Sequence, residues 1–445
     1  MRVVEPTGPI TDRELATLFA PLARASRIAL AVSGGGDSLA LLDCADRWRR
    51  NLPSPPELVV LSVDHGLGRS SKQDAEAVVG LARDRGLAAK YLCWTGKKPQ
   101  GDIEAAARAA RYRLLLGAAR QAGASHLLLG HHRDDQAETM LLRLARGSGL
   151  FGLGAMRREI ATGDMIVFRP FLAIPRARLT ETIAIAGLTP VEDPMNADPR
   201  FARTRLRRIM PLLAAEGIDP AGLAATADRL ASAAEAIETA ASGLIGTAVD
   251  IDELAVASIE ATALLDAPRE VRLRSLVRVL LAIGGEQYPP RFERLAALIG
   301  DIERHDGHTR LKRTLSGSVV EWRGGRFVVY REVGRGGLPE TAVKSGFKGL
   351  WDHRFQVEIG ANAPAGLKLA ALGEAGRRAI GVRAGISAAG ALAALPALWR
   401  GTTVSAVPTL GFFGVEDAAY SVKARSIIAD RLAKPPSFPD FLAST

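Results

Sequence analysis

The sequence predicts an α/β fold: a doubly wound parallel sheet covered by helices, then a helical middle domain and a small mixed, β-containing C-terminal domain. Three observations carry this expectation. Between Arg27 and about Gly187, short apolar runs alternate with longer segments of helical spacing, the pattern of successive βα units. The first apolar run leads directly into a glycine-rich turn and a helix start. Beyond about Pro211 the composition turns alanine-rich and helical, and from Ser316 it switches to strand character.

The strand candidates in the first part are Ile28–Val32, Leu58–Val63, Ala89–Cys93, His126–Gly130 and Ile166–Phe168. Helical patterns lie between them at Leu39–Arg50, Lys72–Arg85, Ile103–Gln121 and Asp134–Arg146. Ligands of such sheets bind at the carboxyl ends of the strands. Chemistry-bearing residues fall there: Ser33, then Asp64-His65-Gly66, then His131-His132. Further on, Ala221–Gly246 and Arg269–Ile283 carry leucine and isoleucine at helical spacing, so Leu212 to about Arg310 reads as a helical domain or spacer. Val319–Trp322, a Gly324-Gly325 turn and Phe327–Tyr330 read as a hairpin. Gly334–Gly337 has the composition of a linker. The expected domains are residues 1–211, 212–333 and 338–445.

The 445 residues, 47% of them hydrophobic, are ample for packed cores. Lys+Arg 58 against Asp+Glu 48 leaves a net charge of +10. That surplus fits a nucleic-acid partner and equally fits an arginine-rich composition with no partner. The two cysteines, Cys44 and Cys93, form no Cys-x-x-Cys pair, which argues against zinc ribbons, iron–sulfur clusters and thioredoxin-like chemistry. Both lie in apolar runs and read as buried free thiols in a reducing compartment. The N-terminal residues lack a signal-peptide core, and no run approaches the roughly 20 apolar residues of a membrane helix. A cytoplasmic location without membrane association is expected.

Ser33-Gly34-Gly35-Gly36-Asp37-Ser38 is the strongest single signal. Glycines let the backbone turn tightly and bring its N–H groups to oxygen anions, and the helix N-terminus adds a positive dipole end. Ser33 and Ser38 offer hydroxyls to phosphates, and Asp37 is a hard carboxylate suited to magnesium. The loop has neither the lysine of a Walker motif nor the third glycine of a dinucleotide fingerprint.

The second signal is Leu127–Gly130 running into His131-His132-Arg133-Asp134-Asp135-Gln136-Ala137-Glu138-Thr139. Asp134 or Asp135 can cap the following helix, and Asp135 and Glu138 then share a face. Those two carboxylates can hold a metal or a substrate ammonium. The histidines, His131 and His132, can serve as base, acid or phosphate ligand. Glu104, Arg108 and Arg111 form a stripe on an alanine-rich helix: either an exposed ion-pair ladder or a site in which Arg111 stabilises developing negative charge. Gly147-Ser148-Gly149 and Gly152-Leu153-Gly154 read either as a loop that closes over substrate or as a helix cap and a plain loop. Five arginines in nine residues, Arg200, Arg203, Arg205, Arg207 and Arg208, suit contact with a phosphate backbone.

Ser-Gly-Gly-x-Asp-Ser after a first strand resembles the signature of the N-type ATP pyrophosphatases. Val63-Asp64-His65-Gly66-Leu67, Glu104 with Arg108 through Tyr112, and Leu129 through Thr139 narrow the likeness to the tRNA(Ile)-lysidine synthetase family. Arg146-Gly147-Ser148-Gly149, Glu192-Asp193-Pro194 with Asn196, and Leu395–Arg400 are similar to elements of the same family. The resemblance implies ATP and Mg2+ as cofactors, with Ser33 to Ser38, Asp64 and His65 around the nucleotide. It implies free L-lysine and an isoleucine tRNA with anticodon CAU as substrates, and lysidine as product. A homodimer is left open. By the same resemblance Asp37, Arg111, His131, His132, Asp135 and Glu138 form the catalytic set. Alternatives are a tRNA thiolase of the same superfamily, which would need paired cysteines, and a non-catalytic RNA-binding module.

Overall fold

In the computed structural model, residues 7–66, 71–96, 103–191, 200–286, 288–382, 389–414 and 420–434 are described. Contacts divide the chain into two units, with the boundary between Ala234 and Glu235.

The first unit opens with α1 (Asp12–Leu18), followed by β1 (Arg27–Ala31), α2 (Gly36–Arg50), β2 (Glu57–Asp64), α3 (Ser71–Asp84) and β3 (Ala88–Cys93). It continues with α4 (Ile103–Gln121), β4 (His126–Leu128), α5 (Arg133–Ala145), the single turn α6 (Leu150–Leu153), β5 (Glu159–Thr162), β6 (Met165–Phe168), α7 (Arg176–Ile185) and α8 (Ala202–Ala215). The six strands form one sheet in the order β3-β2-β1-β4-β6-β5. All neighbours are parallel except β5, which returns antiparallel on β6. The doubly wound sheet read from the sequence is therefore present, with β5 added at its edge. Strand β1 is buried on both faces, which is why it reads as an unbroken apolar run rather than an alternation. One face packs on α1, α2 and α7 through Phe19, Leu41, Trp48, Phe171 and Leu179, the other on α4 through Leu115, Leu116 and Ala119. Strand order reverses direction between β1 and β4, so the loops leaving these two strands diverge and leave a crevice at their carboxyl ends.

Helix α9 (Pro220–Ala248) contains the boundary between the units. It buries Ala227, Ala234, Ala241 and Ala248, a stripe of small side chains two turns apart. The stretch expected to be only helical also contains β7 (Val249–Ile251) and β8 (Ala257–Glu260), a correction to the reading of residues 212–310. Strand β7 has three residues and pairs with β8; β8, Ala257-Ser258-Ile259-Glu260, alternates apolar and polar over four residues only, and its other partner β11 (Arg326–Arg331) comes much later in the chain. The hairpin of β10 (Ser318–Arg323) with β11 forms where its sequence predicts. Its turn glycines, Gly324 and Gly325, have φ of 52° and 86°, the left-handed pair that two-residue hairpins require. Two further antiparallel sheets, of five and three strands, occupy the C-terminal part of the second unit.

Among the described residues no helix is long and apolar enough to cross a membrane.

Candidate active site

The first wall of the crevice is the turn from β1 to α2. Gly34 has φ of +90°, and a Cβ there would lie 3.2 Å from Val191 and 3.3 Å from Val78, so both conformation and space demand glycine. Ser38 closes the turn from inside: its Oγ donates to the Gly35 carbonyl at 2.8 Å and accepts the Ser33 amide at 3.1 Å. Gly35 caps α2 without any side chain over the helix end, which leaves the amides of Gly36 and Asp37 open to an anion, while that of Ser38 turns back to the Gly35 carbonyl at 3.0 Å. Ser33 is exposed beside them.

The second wall leaves β4. His132, and neither Asp134 nor Asp135, caps α5, a correction to the sequence reading. Its Nδ1 accepts the Asp135 amide at 3.3 Å, and Asp135 Oδ2 accepts the His132 amide at 3.1 Å. This reciprocal pair puts Asp135 at the third helical position. Asp134 turns away and accepts the Arg176 amide at 2.9 Å. His132 is fully buried, with Nε2 3.5 Å from Asp37 Oδ2 and 3.4 Å from Asp135 Oδ2. Burial disfavours the charged ring, but the facing carboxylate of Asp37 and the charges of Asp135 and Asp134 outweigh it and raise its pKa. The same contact, with Arg176 and Arg207 nearby, overcomes the burial of Asp37 and lowers its pKa. Asp37 is therefore an ionised carboxylate at neutral pH.

One turn along α5, Glu138 is buried and bonded to Arg207 Nε at 2.6 Å; Arg207 Nη2 also lies 3.7 Å from Asp135 Oδ1. Burial raises the pKa of Glu138 despite Arg207. Of the five arginines expected to form one basic segment, Arg203 and Arg207 lie four residues apart and turn toward α5, where Arg203 Nη2 reaches Thr139 Oγ1 at 3.4 Å. Arg200, Arg205 and Arg208 are exposed. A cavity of about 320 Å³ lies here, lined by Asp134, Glu138, Arg176, Arg207 and the apolar surfaces of Met210 and Pro211.

His131 faces the opposite environment. Burial, with the charges of Arg169, Arg108, Arg203 and Arg111, holds its pKa well below the usual histidine range. Arg108 stacks over the Tyr112 ring at 5.3 Å, and Arg111 is exposed to solvent. Adjacent histidines thus divide the crevice into a cationic half around His131 and an acidic half around His132.

The loop after α5 is tied down. Gln136 brackets Met156 with two 2.8 Å hydrogen bonds, and Arg143 Nη1 donates to the carbonyls of Gly152 and Ala155. Asp64 is also engaged by the protein itself. Its carboxylate accepts from Ser71 Oγ at 2.5 Å, the Gly66 amide at 2.7 Å and Tyr91 Oη at 2.8 Å, and it lies 3.9 Å from Cys93 Sγ. His65 follows it, half-buried. Cys93 is exposed, a correction: β3 is an edge strand, and Cys93 ends it opposite Asp64. Cys44 is buried, as expected. Leu67, the Glu104 side chain and Glu192-Asp193-Pro194 with Asn196 lie outside the described residues. Sequence reading missed Arg169 and Arg176; the only signal for Arg169 was its place directly after a predicted strand.

A parallel sheet whose first strand feeds Ser-Gly-Gly-Gly-Asp-Ser into an uncapped helix end defines a nucleotide-binding domain of the PP-loop class. Residues 8–213 match the family described as "PP-loop domain". A tRNA(Ile)-lysidine synthase of Bradyrhizobium diazoefficiens is 42% identical over 341 residues, covering 72% of this chain and 94% of that one. A tRNA(Ile)-lysidine synthase of Rhodopseudomonas palustris is 44% identical over 328 residues, again covering 72% and 94%. The chain belongs to the tRNA(Ile)-lysidine synthase family. Among solved structures, the U34-tRNA thiolase NcsA from Methanococcus maripaludis covers 50% of this chain and 77% of its own at 17% identity, with a TM-score of 0.43.

Proposed function

We propose that this chain converts the wobble cytidine of an isoleucine tRNA with anticodon CAU into lysidine, at the expense of ATP and free L-lysine. The oxygen on carbon 2 of the cytosine attacks the α-phosphate of ATP and pyrophosphate leaves. The ε-amine of lysine then attacks carbon 2, and AMP departs with the oxygen. The observation that carries this reading is the meeting, at one crevice, of an open anion cradle and a buried acid pair.

Each step asks for a different part of that crevice. Departing pyrophosphate needs donors already in place, and the amides of Gly34 to Asp37 and the Ser33 hydroxyl supply them. Asp37 is the residue that would hold Mg2+, since one ionised carboxylate with phosphate oxygens is a usual set for that ion. There Mg2+ would neutralise charge on the phosphates. Arg111 would stabilise the negative charge that develops on the α-phosphate oxygens as the cytosine oxygen attacks. Asp135 and Glu138 would receive the lysine ammonium, with Arg207 standing in its place in the free protein. The lysine methylenes would lie on Met210 and Pro211. An ammonium must lose a proton before it attacks, and Glu138, whose burial raises its pKa, is the carboxylate that would take it. Exposed Arg200, Arg205 and Arg208 would contact tRNA phosphates, as would residues 212–333 and 338–445 as a whole.

Incubation of the full chain with ATP, radiolabelled lysine and total tRNA, followed by digestion to nucleosides, tests the reading. Label in lysidine supports it. Pyrophosphate release without labelled nucleoside, or no release at all, rejects it.

A further inference from the structure

Arg169 has no exposed surface, and the reaction as written above gives it no part. It follows β6 directly. Strand β6 lies beside β4, with Phe168 opposite Leu128 and the Leu129 amide donating to the Phe168 carbonyl at 2.9 Å. This register brings Arg169 alongside the residues that leave β4. Its Nε donates to Nδ1 of His131 at 3.2 Å, and its Nη1 donates to the Arg157 carbonyl at 2.8 Å.

A guanidinium offers donors only and keeps its charge at any accessible pH. The imidazole nitrogen that faces it can only accept. The single proton of the ring then belongs on Nε2. We propose that Arg169 is a positioning residue that locks His131 as the neutral Nε2–H tautomer, making it a fixed hydrogen-bond donor to an oxygen of the reacting nucleotide and barring it from base catalysis. The inference rests on the reading of His131 as part of the active site.

The surroundings act in the same direction. Arg108 and Arg111 from α4, Arg203 from α8 and Arg169 itself all disfavour a second proton on the ring. His132 next door has carboxylates of Asp37 and Asp135 within 3.5 Å. A base or acid that must change charge suits the second environment and not the first. A donor that must stay neutral while phosphates come and go suits the first.

Nitrogen-15 spectra of the full chain labelled at histidine read the tautomer directly, with the His131 signals assigned by their loss in His131→Gln. A pyridine-like Nδ1 and a pyrrole-like Nε2, unchanged from about pH 6 to about pH 8, are expected. A protonated Nδ1, or a ring that titrates in that window, overturns the proposal. In Arg169→Met both tautomers should appear and lysidine formation should fall about ten- to a hundredfold. Arg169→Lys, which keeps a donor without the fork, should hold the tautomer and retain an intermediate rate. A folded Arg169→Met protein with the native tautomer and rate also overturns it. The spectrum of the unaltered protein decides even where Arg169→Met fails to fold. His131→Gln separates this inference from the reading beneath it: a native rate in that variant removes His131 from the site, whatever its tautomer.

Discussion

The backbone of Gly130 presses against the backbone of Asp37: a Cβ on Gly130 would sit 2.7 Å from the Asp37 carbonyl oxygen and 3.1 Å from its carbonyl carbon. No real Cβ approaches that closely, and the obstacle is main chain that cannot rotate away. This contact brings the end of β4 and the start of α2 together and sets the distance between the anion cradle and the two histidines. Gly130→Ala must therefore push the two walls apart. A loss of about 1–3 kcal/mol in stability is expected. Because misplacement by about 1 Å can cost about a hundredfold in rate, turnover should fall further than stability alone explains. Denaturation curves and single-turnover rates on the same preparation check this; a native rate would remove Gly130 from the argument.

Asp37 offers a more direct test of the cradle. Its carboxylate is about a third exposed and lies beside His132 and Arg176, so Asp37→Asn alters charge with little change in packing. Pyrophosphate release in the presence of tRNA is expected to fall by roughly a hundredfold or more, with the melting temperature close to that of the unaltered protein. Release at the native rate would show that the group does not serve the first step.

Much of the site is legible in the sequence because the α/β sheet writes its ligands at predictable places. Residues after an apolar run, such as Ser33 and His131, must emerge at the carboxyl edge of the sheet, and the strand order then brings two such edges together. What stayed hidden depends on pairing between distant segments. Arg169 becomes meaningful only once β6 is known to lie beside β4. His132 as a cap replaces an expected aspartate because an imidazole lone pair can take the same amide. Arg203 and Arg207 read as outward-facing basic residues, yet their spacing of four puts both on the side of α8 that meets the α5 carboxylates. That spacing was visible, and the acids they meet were already identified. Strand β7 has three residues and the alternation of β8 covers four, too short a stretch to stand out beside the helical pattern, and it is the pairing of β8 with β11 that secures both.

The two halves of the reaction should separate at Glu138. In Glu138→Gln the side chain keeps its shape and an acceptor for Arg207 but loses its charge, so the 2.6 Å contact is no longer an ion pair. Adenylation of tRNA, followed by single-turnover formation of AMP-linked tRNA, is expected to stay within about threefold of native, whereas lysine transfer should drop by about a hundredfold or more. Asp135→Asn should show the same split with a smaller loss of stability, since asparagine can still accept the His132 amide. If either substitution blocks adenylation first, the acid pair belongs to ATP chemistry and not to lysine.

Stability of the first unit should carry an acid-sensitive component set by Glu14 on α1. Both its oxygens accept from Arg178 on α7, at 2.8 Å each, and the same carboxylate closes the capping box of Thr11. The hydrogen bonds to Arg178, opposed by burial and helped by Thr11, lower the Glu14 pKa from 4.5 to about 2. The folded state therefore holds the ionised form more tightly than the unfolded chain does. Its contribution is complete above the unfolded pKa of 4.5 and disappears as the pH falls toward 2. With 32% of the side chain exposed, solvent screens the pair, and about 1 kcal/mol is a realistic size for the effect. Glu14→Gln should thus be less stable than the unaltered chain near neutral pH, and the two denaturation midpoints should converge as acid is added. A gap that stays constant through that range would mean that α1 is held by Phe19 and Leu15 in the core, and that the ion pair adds nothing of its own.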